Sequence, residues 1–147
     1  MKFKIATPER IMLETEVESL TLPTTMGEIT ILPHHIPLVA NLAAGEIRYR
    51  SGGKENFFVV SGGVIEVKNG NEVVVLADTA EFGPEIDIQR AEQAREAAKK
   101  LMQKTVRDET AFAGAAAELS KNSARLRVAR KHRTHTHQNL ESGVLKE

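Results

Sequence analysis

The chain has 147 residues, and its 20 basic and 20 acidic side chains give it a formal net charge of zero. Hydrophobic residues make up 41%, enough for a packed core, and the absence of Cys excludes a disulfide scaffold and thiolate chemistry. Neutral charge argues against non-specific nucleic-acid binding, and no apolar run approaches the ~20 residues of a membrane helix. We expect a soluble, intracellular protein.

The first part of the chain, residues 1–84, has the pattern of short β-strands. Apolar side chains alternate with polar ones, as at Phe3 and Ile5, which is typical of a strand with one buried face. The runs 57–60 and 73–76 are continuously apolar and predict strands buried on both faces. Asn69-Gly70 is a strong hairpin signal, because both residues tolerate positive φ. Eight or more strands predict a sandwich or a flattened barrel.

The second part of the chain has helical periodicity. All five Pro and eight of the ten Gly lie in residues 1–84, whereas eleven of the seventeen Ala follow. Asp87 and Asp108 are the expected N-caps of two helices. Spacings of three and four residues predict two helix faces: Ala91, Ala94, Ala98, Leu101 and Thr105, then Phe112, Ala115, Leu119, Asn122, Leu126 and Ala129.

The predicted fold class is α+β, with an N-terminal antiparallel β-sandwich over residues 1–84 and a C-terminal two-helix antiparallel hairpin over residues 85–131. Residues 132–147 are expected to form a polar, flexible tail. Alanine in the helix seam buries little apolar area. Burial of a methyl group contributes about 0.8 kcal/mol, whereas ordering the backbone of one residue costs roughly 1–2 kcal/mol of conformational entropy. The hairpin should therefore depend on the β part or on a partner, and a switching appendage is physically reasonable.

No catalytic constellation is present in the sequence. Phosphate-loop, G-x-S-x-G and H-E-x-x-H motifs are all absent, so we expect no enzymatic activity. His34-His35 lies between two prolines in a rigid turn and either packs there or contacts a partner. The spacing of His132, His135 and His137 would allow a metal site, but the neighbouring cations favour a solvated tail, and we expect no bound metal.

The stretch from Leu119 to Arg133 contains six basic residues and no acidic one: Lys121, Arg125, Arg127, Arg130, Lys131 and Arg133. Such an unbalanced run differs from a solvated face with paired charges and should face an acidic partner. Protein, nucleotide phosphate and nucleic acid all remain open as that partner. Stacking on single-stranded bases is unsupported, because no aromatic residue follows Phe112.

Four ordered motifs carry a resemblance to a known family. The first two motifs are G-E-x-x-I-L-P-x-H-x-P-L at residues 27–38 and S-G-G-x-x-E-V at residues 61–67. They are followed by V-L-A-D-T-A-E at residues 75–81 and I-D-I-Q-R-A at residues 86–91. Over about residues 2–131 the chain resembles the epsilon subunit of bacterial F-type ATP synthases, equivalent to the mitochondrial delta subunit.

The resemblance implies a non-catalytic rotor subunit of the central stalk. The ten-stranded sandwich of the family binds the gamma subunit and the c-ring, which helps couple proton translocation to ATP synthesis. Glu28 and His35 match family positions at the turn facing the ring. In bacterial members the C-terminal helices can extend along the gamma subunit and inhibit ATP hydrolysis, with the alpha and beta subunits as partners in that inhibitory state. The residues matched to the acidic segment of beta are Lys121, Arg125, Arg127 and Arg130.

Some bacterial relatives bind ATP on the folded hairpin, and the matching residues here are Glu81, Ile86, Asp87, Arg90, Ala91 and Arg125. Ala97 and Lys121 replace two family arginines, so the resemblance implies weak or absent ATP binding and no other cofactor. It also implies a peripheral location on the cytoplasmic face of the bacterial inner membrane, through the complex alone. The alternative is an autonomous ATP-sensing or nucleic-acid-binding module that uses the basic helix.

Overall fold

The computed structural model describes the backbone of residues 1–144 and the side chains of residues 1–131. The chain divides into two compact units, Met1–Phe82 and Gly83–Glu147. The first unit is built from strands and the second from helices, as the change in composition predicts.

Ten strands form the first unit: β1 (Lys2–Ala6), β2 (Ile11–Glu16), β3 (Ser19–Thr24), β4 (Gly27–Ile31), β5 (Leu38–Leu42), β6 (Gly45–Ser51), β7 (Lys54–Val60), β8 (Gly63–Lys68), β9 (Glu72–Ala77) and β10 (Ala80–Phe82). Their order is β10-β7-β6-β3-β5-β8-β9-β1-β2, with β4 paired to β3. One residue pair, Thr24 with Leu42, joins β3 to β5. Strands from both sides of this junction share one core, which confirms the predicted sandwich.

The core of the first unit is made by the alternating residues that the sequence pattern identifies. Phe3, Ile5, Leu20 and Leu22 are fully buried and belong to one cluster. Tyr49 lies among aromatic rings, with its ring centroid 5.5 Å from that of Phe3. The period-two pattern therefore predicts the buried face of these strands correctly.

Two features of the sheet differ from expectation. The sandwich was expected to be antiparallel throughout, but β1 pairs with β9 in a parallel arrangement. After the turn that ends at residue 71, the chain runs beside β1 in the same direction as β1. The expectation that β9 is buried on both faces is wrong. Val75 is buried, but Leu76 is 58% exposed, beside Val64 of β8. The second apolar run does behave as predicted, since every residue of 57–60 is buried.

The predicted hairpin between β8 and β9 is present, with its positive φ angles one residue later than expected. They fall at Gly70 (94°) and Asn71 (65°). Asparagine is among the few residues other than glycine that visit this region at modest cost. The backbone N–H of Lys2 donates to the carbonyl oxygen of Asn71 at 2.9 Å, so this turn also anchors the start of β1.

The second unit begins with a short 3-10 helix, Gly83–Glu85, followed by α1 (Ile88–Lys104) and α2 (Glu109–Val144). Both predicted N-caps are confirmed. The carboxylate of Asp87 accepts from the backbone N–H of Arg90 at 3.1 Å, and that of Asp108 accepts from Ala111 at 3.1 Å. Helix α1 ends at Lys104 and is capped by Thr105, whose N–H donates to the carbonyl of Leu101 at 3.0 Å.

The seam between the helices is shorter than the periodicity predicts. Ala91 and Ala98 of α1 are buried, as is Leu126 of α2, but Leu101 is 49% exposed and Phe112 is also exposed. Both exposed residues lie next to the connection between the helices, where no further helical turn covers them. Further buried residues of α2, which the heptad-like spacing misses, are Ala124 and Val128.

Helix α2 continues beyond residue 131, where the sequence analysis ends the hairpin. No Gly or Pro interrupts the chain between Gly114 and Gly143, so no strong helix breaker stops it earlier. The backbone of residues 132–144 is helical. The side chains of this segment, including those of His132, His135 and His137, lie outside the described residues, as do residues 145–147 altogether.

Candidate interaction surfaces

The connection between β4 and β5 is an exposed, rigid turn. Pro33 and Pro37 bracket it, and Ile36 is 75% exposed between them. His34 has a φ of 66°, and the His35 N–H donates to the carbonyl of Leu32 at 3.2 Å. The turn therefore presents apolar and imidazole groups from a fixed backbone, as a docking loop requires.

A residue distant in sequence holds this turn in place. The backbone N–H of His34 donates to Oδ1 of Asn71 at 2.8 Å, across 37 positions of the chain. A cleft of about 470 Å³ lies between the β4–β5 turn and the β8–β9 turn. This role of Asn71 could not be predicted from the sequence, where the only signal is an asparagine directly after the Asn-Gly step.

Glu28 lies in β4 and is engaged by an arginine of β6. The distance between Arg48 Nη2 and Glu28 Oε1 is 2.6 Å, and Arg48 Nε lies 3.7 Å from Glu46 Oε1. Strand β3 separates β4 from β6, and Thr21 pairs with both Thr30 and Arg48 across it. Arg48 thus spans the width of β3 to orient the Glu28 carboxylate.

Glu28 and His35, the two residues predicted to contact the ring, lie at opposite ends of β4. Glu28 is the second residue of β4, whereas His35 follows the other end of that strand, which places about 10 Å of strand between Glu28 and Ile31. His35 Nδ1 lies 2.7 Å from the carbonyl oxygen of its neighbour Ile36. They are separate positions on the first unit.

The four basic residues predicted to meet an acidic partner lie on two flanks of α2. With about 100° per residue and Leu126 as the reference direction, Arg127 and Arg130 fall about 100° and 40° to one side. Lys121 and Arg125 fall about 140° and 100° to the other side. The helix is buried on more than one side, because Ala124 and Val128 are also buried and lie about 160° from Leu126. The folded hairpin therefore does not present the four cations as one patch.

Each flank has its own polar contacts with described residues. Arg125 Nη1 donates to Oδ1 of Asn122 at 3.0 Å, while Nδ2 of this buried asparagine donates to the carbonyl of Glu118 at 2.8 Å. On the opposite flank Arg130 Nη2 lies 3.7 Å from Glu92 Oε1 of α1. A buried asparagine thus supports one flank, and an exposed ion pair between helices supports the other.

Within the second unit, two of the residues matched to nucleotide binding share one flank of the hairpin. Arg90 precedes the buried Ala91 by one residue, just as Arg125 precedes Leu126, so each arginine is rotated by about 100° from its buried neighbour in the same sense. In two antiparallel helices that face each other, equal rotations lead to the same side, so Arg90 and Arg125 lie on one flank of the hairpin. The Asp87 carboxylate is occupied as the N-cap of α1. Glu81 belongs to β10 in the first unit.

The described residues contain neither a cluster of metal ligands nor a membrane-spanning helix. No group of three or more His, Cys, Asp or Glu side chains in that part of the chain is arranged to hold a metal ion. Among the same residues, no helix has the length and apolar character needed to cross a membrane.

Comparison with known proteins supplies the family. Residues 1–83 match the family model "ATP synthase, Delta/Epsilon chain, beta-sandwich domain", and residues 85–130 match "ATP synthase, Delta/Epsilon chain, long alpha-helix domain". The class is therefore a two-domain protein with a β-sandwich and a helical hairpin. The chain belongs to the delta/epsilon family of ATP synthase subunits, and the sequence resemblance to the epsilon subunit is confirmed.

Similar proteins include ATP synthase epsilon chains of two bacteria. The chain is 42% identical over 135 residues to that of Dehalococcoides mccartyi strain BAV1, covering 92% of this chain and 96% of the relative. It is 45% identical over 102 residues to that of Carboxydothermus hydrogenoformans, covering 69% and 75%. A cryo-EM structure of Euglena gracilis mitochondrial ATP synthase, OSCP/F1/c-ring, contains a chain that is 27% identical with a TM-score of 0.73, covering 83% of this chain and 76% of that one. These relatives lend no support to an autonomous nucleic-acid-binding module.

Proposed function

We propose that this chain is a non-catalytic subunit of the central stalk, which couples proton translocation to ATP synthesis and restrains ATP hydrolysis through its helices. The observation that carries the proposal is the unbalanced charge of α2, which has five basic residues and no acidic one between Leu119 and Lys131. Such a helix needs acidic partners, and a stalk subunit that reaches the beta subunit has them.

The first unit is proposed to bind the gamma subunit and the c-ring. The rigid turn at residues 32–37 exposes apolar side chains, and the Glu28 carboxylate is oriented by Arg48. Fixed loops and oriented charges lose little conformational entropy on binding, which suits a permanent structural contact. Membrane association would follow from this contact, on the cytoplasmic face of the bacterial inner membrane.

The second unit is proposed to inhibit ATP hydrolysis by placing its cations against the alpha and beta subunits. Because Lys121 and Arg125 lie on one flank and Arg127 and Arg130 on the other, the folded hairpin offers only one pair at a time to a flat acidic surface. Arg127 and Arg130 are exposed in the folded hairpin, whereas Lys121 and Arg125 are partly buried. Separation of α2 from α1 would let partners approach α2 from both sides. Inhibition is therefore expected to require an opened hairpin.

The experiment compares ATPase rates of complexes reconstituted with two variants of equal charge. In the first, Lys121, Arg125, Arg127 and Arg130 are replaced by Ala, and hydrolysis is expected to rise several-fold without loss of assembly. In the matched control, Ala replaces Lys99, Lys100, Lys104 and Arg107, and hydrolysis should stay at the wild-type rate. Equal rates for the first variant and wild type would contradict the inhibitory role.

ATP binding by the hairpin is proposed to be weak or absent. Arg90 and Arg125 share a flank, but Ala97 offers no guanidinium and Asp87 already caps α1. Lysine at position 121 also lacks the bidentate donors of arginine. Calorimetry with ATP and the full chain should give no binding in the micromolar range, and a micromolar Kd would refute this proposal.

A further inference from the structure

The turn between β8 and β9 contains the dipeptide Asn69-Gly70, the one place in the chain where glycine follows asparagine. The carboxamide of asparagine is chemically labile, because the backbone nitrogen of the next residue is able to attack it. A side chain on that next residue obstructs the attack, and glycine has none. The sequence signal that predicts the hairpin is therefore also the signal of a reactive amide.

The fold leaves this amide accessible. Asn69 and Gly70 are both exposed, and a Cβ atom at Gly70 would meet no heavy atom within 4 Å apart from its chain neighbours. Among the described residues, none forms a hydrogen bond with the Asn69 carboxamide or with the N–H of Gly70. The carboxamide can therefore rotate towards the Gly70 nitrogen without breaking a contact, and water reaches both groups.

The other asparagines with described side chains are better protected. Asn41 and Asn56 lie in strands and are followed by leucine and phenylalanine, whose side chains obstruct the backbone nitrogen. Asn122 is buried in α2, where its Nδ2 donates to a backbone carbonyl one turn away at 2.8 Å. Asn71 is followed by glutamate, and its Oδ1 accepts a hydrogen bond from the β4–β5 turn. Asn69 alone among them combines exposure, an unengaged carboxamide and a following glycine.

We propose that Asn69 is a site of spontaneous deamidation, which converts it to isoaspartate or aspartate. The Gly70 nitrogen gives its proton to solvent and forms a bond to Cγ of Asn69, while the bond between Cγ and Nδ2 breaks and the amide nitrogen leaves as ammonia. One water molecule then opens the five-membered succinimide ring at either of its carbonyl carbons. The reaction consumes water, releases ammonia and needs no oxidant, reductant or enzyme.

Isoaspartate changes the length of the turn. Its main chain runs through Cβ and Cγ of residue 69, which adds one carbon–carbon bond of about 1.5 Å. Lys68 pairs with Glu72 across the hairpin, so the loop residues between them must take up the added length. Asn71 is one of these residues, and its Oδ1 accepts from the backbone N–H of His34 at 2.8 Å. The modification is therefore expected to weaken the contact that holds the β4–β5 turn.

Deamidation also changes the charge of the cleft between the two turns. Asn69 lines this cleft of about 470 Å³ together with His34, His35 and Lys68. Both products carry a carboxylate at neutral pH, so the cleft gains one negative charge. Its consequence for contact with the ring rests on the proposed function of the β4–β5 turn, whereas the reaction itself depends only on the β8–β9 turn.

The test follows the full chain by mass spectrometry during incubation at physiological temperature. Cleavage after glutamate releases residues 67–72, and deamidation raises the mass of this fragment by about 1 Da. The gain should fall on Asn69 and not on Asn71, which serves as a control within the same fragment. It should accumulate at least several-fold faster in mildly alkaline than in neutral buffer, because the attacking nitrogen must lose its proton.

A synthetic peptide of residues 67–72 with blocked ends gives the rate without the fold. The full chain should react within about tenfold of the peptide rate. Stronger protection, no mass gain, or modification of Asn71 before Asn69 overturns the inference. Isoaspartate is distinguished from aspartate by an isoaspartate-specific carboxyl methyltransferase, and an aged chain that accepts no methyl group would overturn the lengthening of the turn.

Two variants separate the reaction from its consequence. Asn69→Gln keeps a carboxamide but would have to close a six-membered ring, so its mass gain should fall at least several-fold. Asn69→Glu adds the negative charge without the longer main chain. Amide hydrogen exchange at His34, measured by NMR, should be at least several-fold faster in the aged chain than in the fresh chain, and unchanged in Asn69→Glu. Equal exchange in the aged and fresh chains would overturn the coupling between the two turns.

Discussion

Arg48 Nη2 lies 2.6 Å from Glu28 Oε1, across the intervening strand β3. Both side chains remain partly exposed, so solvent screens their attraction. The pair therefore contributes more to the orientation of the Glu28 carboxylate than to the stability of the sandwich.

The first prediction concerns this pair. A double-mutant cycle with Glu28→Gln and Arg48→Met should give a coupling free energy of about 0.2–1 kcal/mol in chemical denaturation, which is typical of exposed ion pairs. Because the pair is exposed, the coupling should fall when the salt concentration is raised to 1 M. A coupling that exceeds this range and resists salt would mean that the pair is desolvated.

The second prediction concerns Asn71, which combines a positive φ with the hydrogen bond to the His34 N–H. Asn71→Ala loses both features and should lower the free energy of unfolding by about 2–3 kcal/mol. Asn71→Gly keeps the backbone conformation and should lose only about 1 kcal/mol. If both variants are equally unstable, the hydrogen bond to the turn is the larger contribution.

The third prediction concerns Gly63, at the start of β8. Its φ is 140°, and a Cβ atom there would lie 2.0 Å from the carbonyl oxygen of Leu76. Gly63→Ala should therefore lower the free energy of unfolding by at least about 3 kcal/mol. The control is Gly52→Ala, which also has positive φ but open space around it, and which should cost about 1–2 kcal/mol.

The fourth prediction concerns the pH dependence of the sandwich. Burial raises the pKa of the Tyr49 phenol above its usual value, because the charged form is poorly solvated in the core. Above about pH 10 the unfolded chain releases this proton before the folded chain does, so the free energy of unfolding falls by up to about 1.4 kcal/mol per pH unit.

Tyr49 is the only tyrosine in the chain, so the ultraviolet absorbance of tyrosinate reports its ionisation directly. Tyr49→Phe should remove this contribution to the alkaline loss of stability. A tyrosinate titration with a midpoint at or below that of a free tyrosine would show that the phenol is solvated.

The fifth prediction separates two leucines of the helical hairpin. Leu126 is 2% exposed, so Leu126→Ala should destabilise the helical unit by about 2–5 kcal/mol. Leu101 is half exposed, so Leu101→Ala should cost less than about 1 kcal/mol. Helical circular dichroism during thermal unfolding measures both. Similar losses for the two variants would show that Leu101 packs in the seam after all.

Local patterns predicted much of this fold. The alternation at Phe3 and Ile5 gives the buried face of β1, and Asp87 and Asp108 cap helices because their side chains act within three residues of their own position. The solvent-facing side of β9 at Leu76 could not be foreseen, since it depends on which strands flank it and what covers the sheet.

The interaction surfaces were less predictable for the same reason. The resemblance predicts Glu28 and His35 as contact residues, and this stays a prediction, but the hydrogen bonds and ion pairs around them depend on pairings that join distant parts of the chain. Arg48 reaches Glu28 only because β3 lies between β4 and β6, and Asn71 reaches His34 across 37 residues. Short-range periodicity contains no information on such contacts.

The parallel pairing of β1 with β9 has a consequence for the order of events during synthesis. Lys2 pairs with Glu72 and Ala6 with Leu76, so one edge of the first strand has no neighbour until about half of the polypeptide has left the ribosome. Until then, only the hairpin with β2 shelters this apolar segment. The sandwich can therefore close only after β9 has been synthesised. A nascent chain that stops before residue 72 would keep an unpaired strand edge, which is prone to aggregation and would be a binding site for chaperones.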